Sequence, residues 1–105
     1  MHLTSYLENG TLVIALTGEI DHHCAKQYMQ TITGKIEAYT PRICILDFRE
    51  VSFMDSSGIA VVINALRNMH KIDGKLSLEG LNPQPLKVFR ASGIDKLVTI
   101  QEEVK

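Results

Sequence analysis

The stretch RICILDFREVSFMDSSG, residues 42–58, decides the fold. Its first part, Arg42 to Phe48, is a nearly continuous apolar run, which is typical of a strand covered on both faces in the middle of a sheet. Its last part, Asp55 to Gly58, is a polar turn, and apolar residues then recur at helical spacing as far as Asp73-Gly74. The stretch therefore predicts a central strand followed by a helix with a polar first turn.

Upstream of this strand the sequence predicts a β-hairpin and a helix. Leu3 to Leu7 and Thr11 to Leu16 are strand-like runs on either side of Asn9-Gly10, a strong signal for a two-residue hairpin turn. Asp21 is a good helix N-cap. The apolar residues that follow it fall at spacings of three and four: Ala25, Tyr28, Met29, Ile32 and Ile36. We therefore expect a first helix of about four turns that starts at Asp21.

Downstream, strands and helices continue to alternate. Lys75 to Glu79 is a short strand and Lys96 to Ile100 is a last short strand. Between them Asn82 is a predicted N-cap, followed by Pro83 at the first position of a third helix that ends at Ser92-Gly93. From Thr11 onward this order predicts a largely parallel sheet joined by right-handed crossovers. The predicted fold class is α/β, a single domain over residues 1–105 with a mixed, mostly parallel β-sheet, an N-terminal β-hairpin and crossover helices.

The composition is that of an ordinary globular domain of 105 residues. Size scaling predicts a folded surface of roughly 6,000 Å² against roughly 17,000 Å² for the unfolded chain, so a core can form without disulfides or metal. Eleven Lys and Arg against twelve Asp and Glu give a net charge of −1, and neither nucleic acid nor a membrane is expected as a partner. Without an apolar run of about 18 residues or a secretory signal, we expect a cytoplasmic protein.

The cysteines and histidines predict no cofactor or metal site. Cys24 and Cys44 are expected to be reduced packing residues, since no second pair completes a disulfide framework or a zinc site. Asp21-His22-His23-Cys24 spells the signature of protein palmitoyltransferases, but their cysteine-rich, membrane-spanning context is missing. We expect His22 and His23 to project about 100° apart on a helix, which does not make a metal-binding face.

Three turns should meet at the edge where the parallel strands end. They are Gly18 to His22, Met54 to Gly58, and Gly80 to Asn82. In the second, a carboxylate and hydroxyls can simply satisfy free N–H groups at a helix N-terminus. A phosphate is also favoured there by the free N–H groups and the helix dipole, so phosphorylation should preserve the fold and change what the turn binds. Two unit charges about 6 Å apart at an effective dielectric near 20 interact by roughly 3 kcal/mol, enough for a hundreds-fold change in affinity.

An alternative from another class is a small hydrolase or a nucleotide-binding protein that uses the same edge. The sequence has neither a Gly-x-Ser-x-Gly elbow nor a phosphate-binding Gly-x-x-x-x-Gly-Lys-Ser/Thr loop. Turnover of esters, or tight nucleotide binding by the isolated protein, would favour this alternative.

These turns also carry a resemblance to a known family. Thr17 to His23, Phe53 to Ile59 and Ala91 to Ile94 together resemble the STAS family of anti-sigma factor antagonists, and its sporulation members most of all. The resemblance implies a non-enzymatic switch whose unphosphorylated form binds an anti-sigma factor, itself a serine kinase with bound ATP or ADP, and so frees a sporulation sigma factor. It also implies a phosphoserine phosphatase that resets the switch.

The resemblance assigns roles to five residues. Ser56 is the implied phosphate acceptor, and Asp21 lies in the segment that implies partner binding rather than catalysis. Asp55, Ser57 and Gly58 complete the partner-binding turn, and no catalytic residue is implied.

The same resemblance leaves other readings open. General-stress antagonists share the fold and the switch, so they remain an alternative, whereas a STAS module of an anion transporter would need membrane spans in the same chain. The closing helix usual in the family looks short or missing after Gln101.

Overall fold

This computed structural model describes residues 2–101, in which a β-hairpin is followed by alternating helices and strands. The strands are β1 His2–Glu8, β2 Thr11–Thr17, β3 Ile43–Glu50, β4 Lys75–Glu79 and β5 Thr99–Gln101, and the helices are α1 Ala25–Tyr39, α2 Ser57–Lys71 and α3 Pro83–Ser92. The last predicted strand is shorter than expected, because a 3-10 turn occupies Ile94–Lys96 and pairing begins only at Thr99. The prediction that the closing helix is short or missing concerns residues 102–105, which lie outside the described residues.

The sheet confirms the predicted α/β class. Its strand order is β1-β2-β3-β4-β5, with β1 antiparallel to β2 and every later pair parallel. The hairpin turn is also as predicted, because Asn9 and Gly10 adopt positive φ angles of 52° and 81° and Glu8 pairs with Thr11. This local turn sets the register of the first two strands.

All three helices pack on one face of the sheet. Parallel strands that follow one another in chain order, joined by right-handed crossovers, place every crossover helix on the same side. On that helix face the side chains of β2 and β3 are fully buried: Leu12, Ile14, Leu16, Cys44, Leu46 and Phe48. On the opposite face Ile45 is only half-buried and Ile43 is 40% exposed. The prediction that β3 is covered on both faces is therefore wrong.

The helices bury the faces that their apolar spacing predicts. In α1, Ala25, Tyr28, Ile32 and Ile36 are buried. A polar cluster fixes α1 against α2: the amide groups of Asn64 and Asn68 both donate to the Thr33 hydroxyl, at 2.8 and 3.0 Å. The accessible surface of 6134 Å² agrees with the size-scaling expectation.

Candidate functional site

The two chain segments that leave β2 and β3 run side by side beyond the regular sheet. Ile20 N–H donates to the Phe53 carbonyl at 3.0 Å, and Asp55 N–H donates back to the Ile20 carbonyl at 3.0 Å. These bonds form an isolated parallel bridge between Ile20 and Met54. They bring Asp21 and the Asp55–Gly58 turn to the same edge of the sheet, which we call the rim.

The third predicted turn reaches the rim through two side-chain amides. The Asn82 amide donates to the carbonyls of Arg49 and Val51, at 3.1 and 2.9 Å. Gln84 accepts a hydrogen bond from Met54 N–H and donates one to the Met54 carbonyl, both at 2.9 Å. The prediction that the three turns meet is confirmed. Asn82 does not cap α3 with its side chain, because that side chain is hydrogen-bonded to the loop after β3.

Asp21 stabilises the turn that precedes α1. Its carboxylate accepts hydrogen bonds from the N–H groups of His23 at 2.9 Å and Cys24 at 3.2 Å. The prediction that Asp21 is the N-cap of α1 is wrong, because three residues of turn, His22 to Cys24, separate Asp21 from the first helical residue, Ala25, and the N-cap position is Cys24. Desolvation raises the pKa of Asp21, but hydrogen bonds from the Cys24 thiol and from the two N–H groups, together with nearby His23, leave that pKa below its ordinary value.

The turn also changes the placement of the two histidines. Because His22 and His23 lie in the turn and not in α1, their rings lie with centroids 4.0 Å apart and do not project about 100° apart as expected for a helix. Within residues 2–101 no group of three or more His, Cys, Asp or Glu side chains is arranged to hold a metal ion.

In the Asp55–Gly58 turn the carboxylate does the capping and the first hydroxyl does not. Asp55 accepts a hydrogen bond from Ser57 N–H on its carboxylate at 2.8 Å, and one from Gly58 N–H on its carbonyl at 3.1 Å. Ser56 occupies the N-cap position of α2 but makes no side-chain capping bond, and it is exposed. The Ser56 hydroxyl is therefore accessible at a helix N-terminus whose N–H groups are partly satisfied by its neighbour.

A large apolar side chain accompanies this hydroxyl at the rim. Phe53 is 43% exposed, two residues before Asp55. Sequence reasoning did not single it out, nor did it single out Gln84. An aromatic residue directly before the polar turn was the available signal for Phe53, whereas the contact made by Gln84 spans 30 residues of sequence and has no local signal.

Gly58 allows the first turn of α2 to pack tightly on the rim. A Cβ at this buried position would lie 2.4 Å from Met54 Sδ and 2.9 Å from Met54 Cε, and Met54 itself is fully buried. The requirement for glycine here comes from close packing, since only a hydrogen atom fits between the helix and the sulfur.

We expect Gly58→Ala to lower the free energy of unfolding by about 1–3 kcal/mol, because Met54 must repack within a filled core. Gly34→Ala is the matched control: Gly34 is exposed in α1 with no atom within 4 Å of a Cβ, so helix propensity should make it stabilising by about 0.5–1 kcal/mol. Urea denaturation of both variants measures the difference. Equal effects of the two substitutions would contradict the packing argument.

The two cysteines are free thiols, and they lie in different environments. The Cys24 thiol is half-buried and donates to the Glu19 carbonyl at 3.3 Å, beside the rim. Cys44 is fully buried in β3, and desolvation raises its pKa to about 12. Cys44 is therefore almost entirely a neutral, inaccessible thiol near neutral pH.

At pH 8 we expect a disulfide reagent such as Ellman's reagent to label one thiol of the folded protein and two in urea. The thiolate is the reactive form, and the raised pKa of Cys44 leaves about one part in ten thousand ionised at this pH. Cys24→Ser should abolish the native labelling. Rapid labelling of folded Cys24→Ser protein would contradict the burial of Cys44.

Within residues 2–101, each helix lacks the length or the apolar character that a membrane-spanning helix needs.

Comparison with known proteins gives a consistent match. The STAS domain family matches residues 3–105. The anti-sigma F factor antagonist of Lysinibacillus sphaericus is 40% identical over 86 residues, covering 80% of this chain and 72% of that protein. The anti-sigma-B factor antagonist of Bacillus subtilis is 30% identical over 88 residues, covering 83% of this chain and 78% of that one.

Solved structures extend the similarity over almost the whole chain. The unphosphorylated anti-sigma factor antagonist SpoIIAA superposes with a TM-score of 0.81 at 31% identity, covering 97% of this chain and 90% of that one. The phosphorylated form of the Bacillus cell fate determinant SpoIIAA gives a TM-score of 0.72 at 31% identity, covering 97% and 93%. Thus the rim belongs to a fold for which both phosphorylation states have been solved in a relative.

Proposed function

This chain belongs to the STAS domain family as an anti-sigma factor antagonist, and from that premise we propose that phosphorylation of Ser56 controls its binding to an anti-sigma factor. The unphosphorylated protein binds an anti-sigma factor that is itself a serine kinase holding ATP or ADP, and so releases a sporulation sigma factor. A phosphoserine phosphatase restores the binding form. The protein is a substrate and a ligand in this cycle, acts in the cytoplasm and catalyses no reaction.

The exposed hydroxyl of Ser56 is the single observation that carries the proposal. Asp55 already caps α2, so the Ser56 hydroxyl can be modified without breaking a helix-capping bond. A phosphate added there sits at the positive end of the helix dipole, which favours it. The kinase supplies its own base and metal, so the substrate needs only to present an accessible hydroxyl.

The rim around Ser56 has the features of a docking surface. Asp21 and Asp55 provide negative charge on two segments that are hydrogen-bonded together, and Phe53 provides exposed apolar area next to them. Aromatic side chains, Phe among them, are enriched in the buried cores of protein interfaces. In the proposal, Asp21, Asp55, Ser57 and Gly58 shape this surface and Ser56 switches it.

The test is phosphorylation in solution. Incubation with the anti-sigma factor kinase and ATP should add one phosphate to the protein, located on Ser56 by mass spectrometry of peptides. Ser56→Ala should accept none, while Ser57→Ala, which removes the neighbouring hydroxyl, should still accept a full equivalent. Stoichiometric phosphorylation of Ser56→Ala would refute the site.

A general-stress antagonist is the second candidate, supported by the similarity to the anti-sigma-B factor antagonist. The two candidates differ in the partner and not in the switch. Binding of unphosphorylated protein to purified sporulation and stress anti-sigma factors, compared at equal concentration, distinguishes them, since the cognate partner should bind at least tenfold more tightly.

A further inference from the structure

The outer edge of β1 has no neighbouring strand in the described part of the chain. β1 is the first strand of the sheet order and pairs only with β2. Its seven residues, His2–Glu8, contain neither the proline nor the lysine that commonly protects an edge strand. Tyr6 and Leu7 are 61% and 46% exposed. This edge is therefore long and partly apolar, and it is open to pairing.

The register of the hairpin shows which backbone groups face outward. A two-residue turn is flanked by a hydrogen-bonded pair, here Glu8 with Thr11, and hydrogen-bonded and non-hydrogen-bonded pairs then alternate along the ladder. The even-numbered residues of β1 thus direct their N–H and C=O groups to β2. Leu3, Ser5 and Leu7 direct theirs away from the sheet, where β2 cannot reach them.

The sequence of β1 is self-complementary about Ser5. In an antiparallel pair of two copies centred there, His2 of one copy faces Glu8 of the other, and Leu3 faces Leu7. The first contact places an imidazole opposite a carboxylate, and the second pairs two apolar groups on the helix face of the sheet. The outward-facing residues Leu3, Ser5 and Leu7 form the hydrogen-bonded pairs of this register, with about six backbone hydrogen bonds. Registers shifted by two residues lose both the leucine pairs and the histidine–glutamate pairs.

We propose that β1 is a homodimerisation edge at which two copies of this chain join antiparallel strands about a two-fold axis through Ser5. The two five-stranded sheets then form one sheet of ten strands, with the helices of both copies on the same face. The contact is closed, because each copy uses its single β1 edge, so it yields dimers and not filaments.

The dimer leaves both rims free. Because the axis is perpendicular to the sheet, the strands of the two copies run in opposite directions, and the two rims lie at opposite ends of the joined sheet. The protein would therefore present two independent partner-binding surfaces. This inference does not rest on the proposed function, since it uses only the edge strand.

Analytical ultracentrifugation of the full chain tests the proposal. A seven-residue edge belongs to the small, weak class of interfaces, so we expect a reversible monomer–dimer equilibrium at roughly 0.1–1 mM protein. Ser5→Pro removes an N–H that faces away from β2, a position at which edge strands tolerate proline, and should raise the dimer dissociation constant at least tenfold. Leu97→Ser, which removes a 62% exposed leucine outside the sheet, is the control and should leave the dimer unchanged.

Cysteine crosslinking gives a second test, which does not depend on whether the proline variant folds. Ser5→Cys places two thiols opposite each other across the axis with Cα atoms about 5.5 Å apart, within disulfide range, so mild oxidation should yield a covalent dimer. Thr4→Cys faces Tyr6 of the second copy and should crosslink at least tenfold more slowly.

A protein that stays monomeric at about 1 mM, a dimer unaffected by Ser5→Pro, or equal crosslinking of the two cysteine variants would overturn the proposal.

Discussion

Replacing Ser56 with aspartate should weaken binding to the anti-sigma factor by about a hundred-fold while the fold stays intact. The added carboxylate lies next to Asp55 and on the same rim as Asp21, so a partner that covers the rim must remove water from three neighbouring acidic groups instead of two. Two like charges about 6 Å apart repel by roughly 0.7 kcal/mol in water and by roughly 3 kcal/mol at an effective dielectric near 20, so covering the turn with a partner adds about 2 kcal/mol of repulsion. Removal of water from the added carboxylate raises the total loss to about a hundred-fold in affinity. A phosphate, with up to two charges, should weaken binding further.

Ser56→Asn is the matched control, because it has nearly the same shape as Ser56→Asp without the charge. Isothermal titration with the purified anti-sigma factor should give a loss for Ser56→Asn that is at least tenfold smaller. The difference between the two variants should shrink as salt rises from about 0.05 to 0.5 M, since salt screens exposed charges. Equal losses for both variants would assign the effect to shape and contradict an electrostatic switch.

The melting temperature of Ser56→Asp tests separately whether a negative charge at the N-terminus of α2 leaves the fold intact. A carboxylate at the N-terminus of α2 interacts favourably with the helix dipole by about 0.3–1 kcal/mol, so the melting temperature should stay constant or rise by a few degrees. A fall of more than about 5 °C would show that the charge disturbs the turn itself.

Local chemistry explains the parts of the fold that the sequence predicted well. Asn9-Gly10 fixes the hairpin because these two residues tolerate the positive φ angles of a type I′ turn, and Lys75–Glu79 is a strand with the predicted bounds. The apolar spacing in α1 identifies its buried face because that spacing is a property of the helix alone.

The errors concern choices that depend on distant segments. Whether the apolar run of β3 is covered on one face or two depends on the order of all strands in the sheet, which no residue of the run encodes. The side chain of Asn82 bonds carbonyls more than 30 residues away and leaves its own helix uncapped. In the candidate site, the Ser56 hydroxyl stays free of capping bonds because Asp55 caps the helix. Aspartate and serine are about equally good capping residues, so the sequence does not tell which of the two caps α2.

Phe89→Ala should lower the free energy of unfolding by about 3–5 kcal/mol, the largest stability loss that we expect from a single substitution in α3. Phe89 is fully buried, and its ring meets Phe48 edge-on with centroids 5.4 Å apart and an interplanar angle of 84°. Besides Phe89, α3 buries only Pro85, so this ring anchors the helix to the sheet. Since small domains are stable by about 5–15 kcal/mol, the loss takes a large share of the total.

The rim depends on the same anchor. α3 carries Gln84, whose amide holds both backbone groups of Met54, and Met54 lies between Phe53 and the Asp55–Gly58 turn. Urea denaturation of Phe89→Leu should show a smaller loss of about 1–2 kcal/mol, because most of the volume is kept while the aromatic pair is removed. Val88→Ala, at a half-buried position one residue away, controls for general loss of packing and should also stay near 1 kcal/mol. If Phe89→Ala proved no worse than Val88→Ala, the Phe48–Phe89 contact could not be what holds α3, and with it the rim, against the sheet.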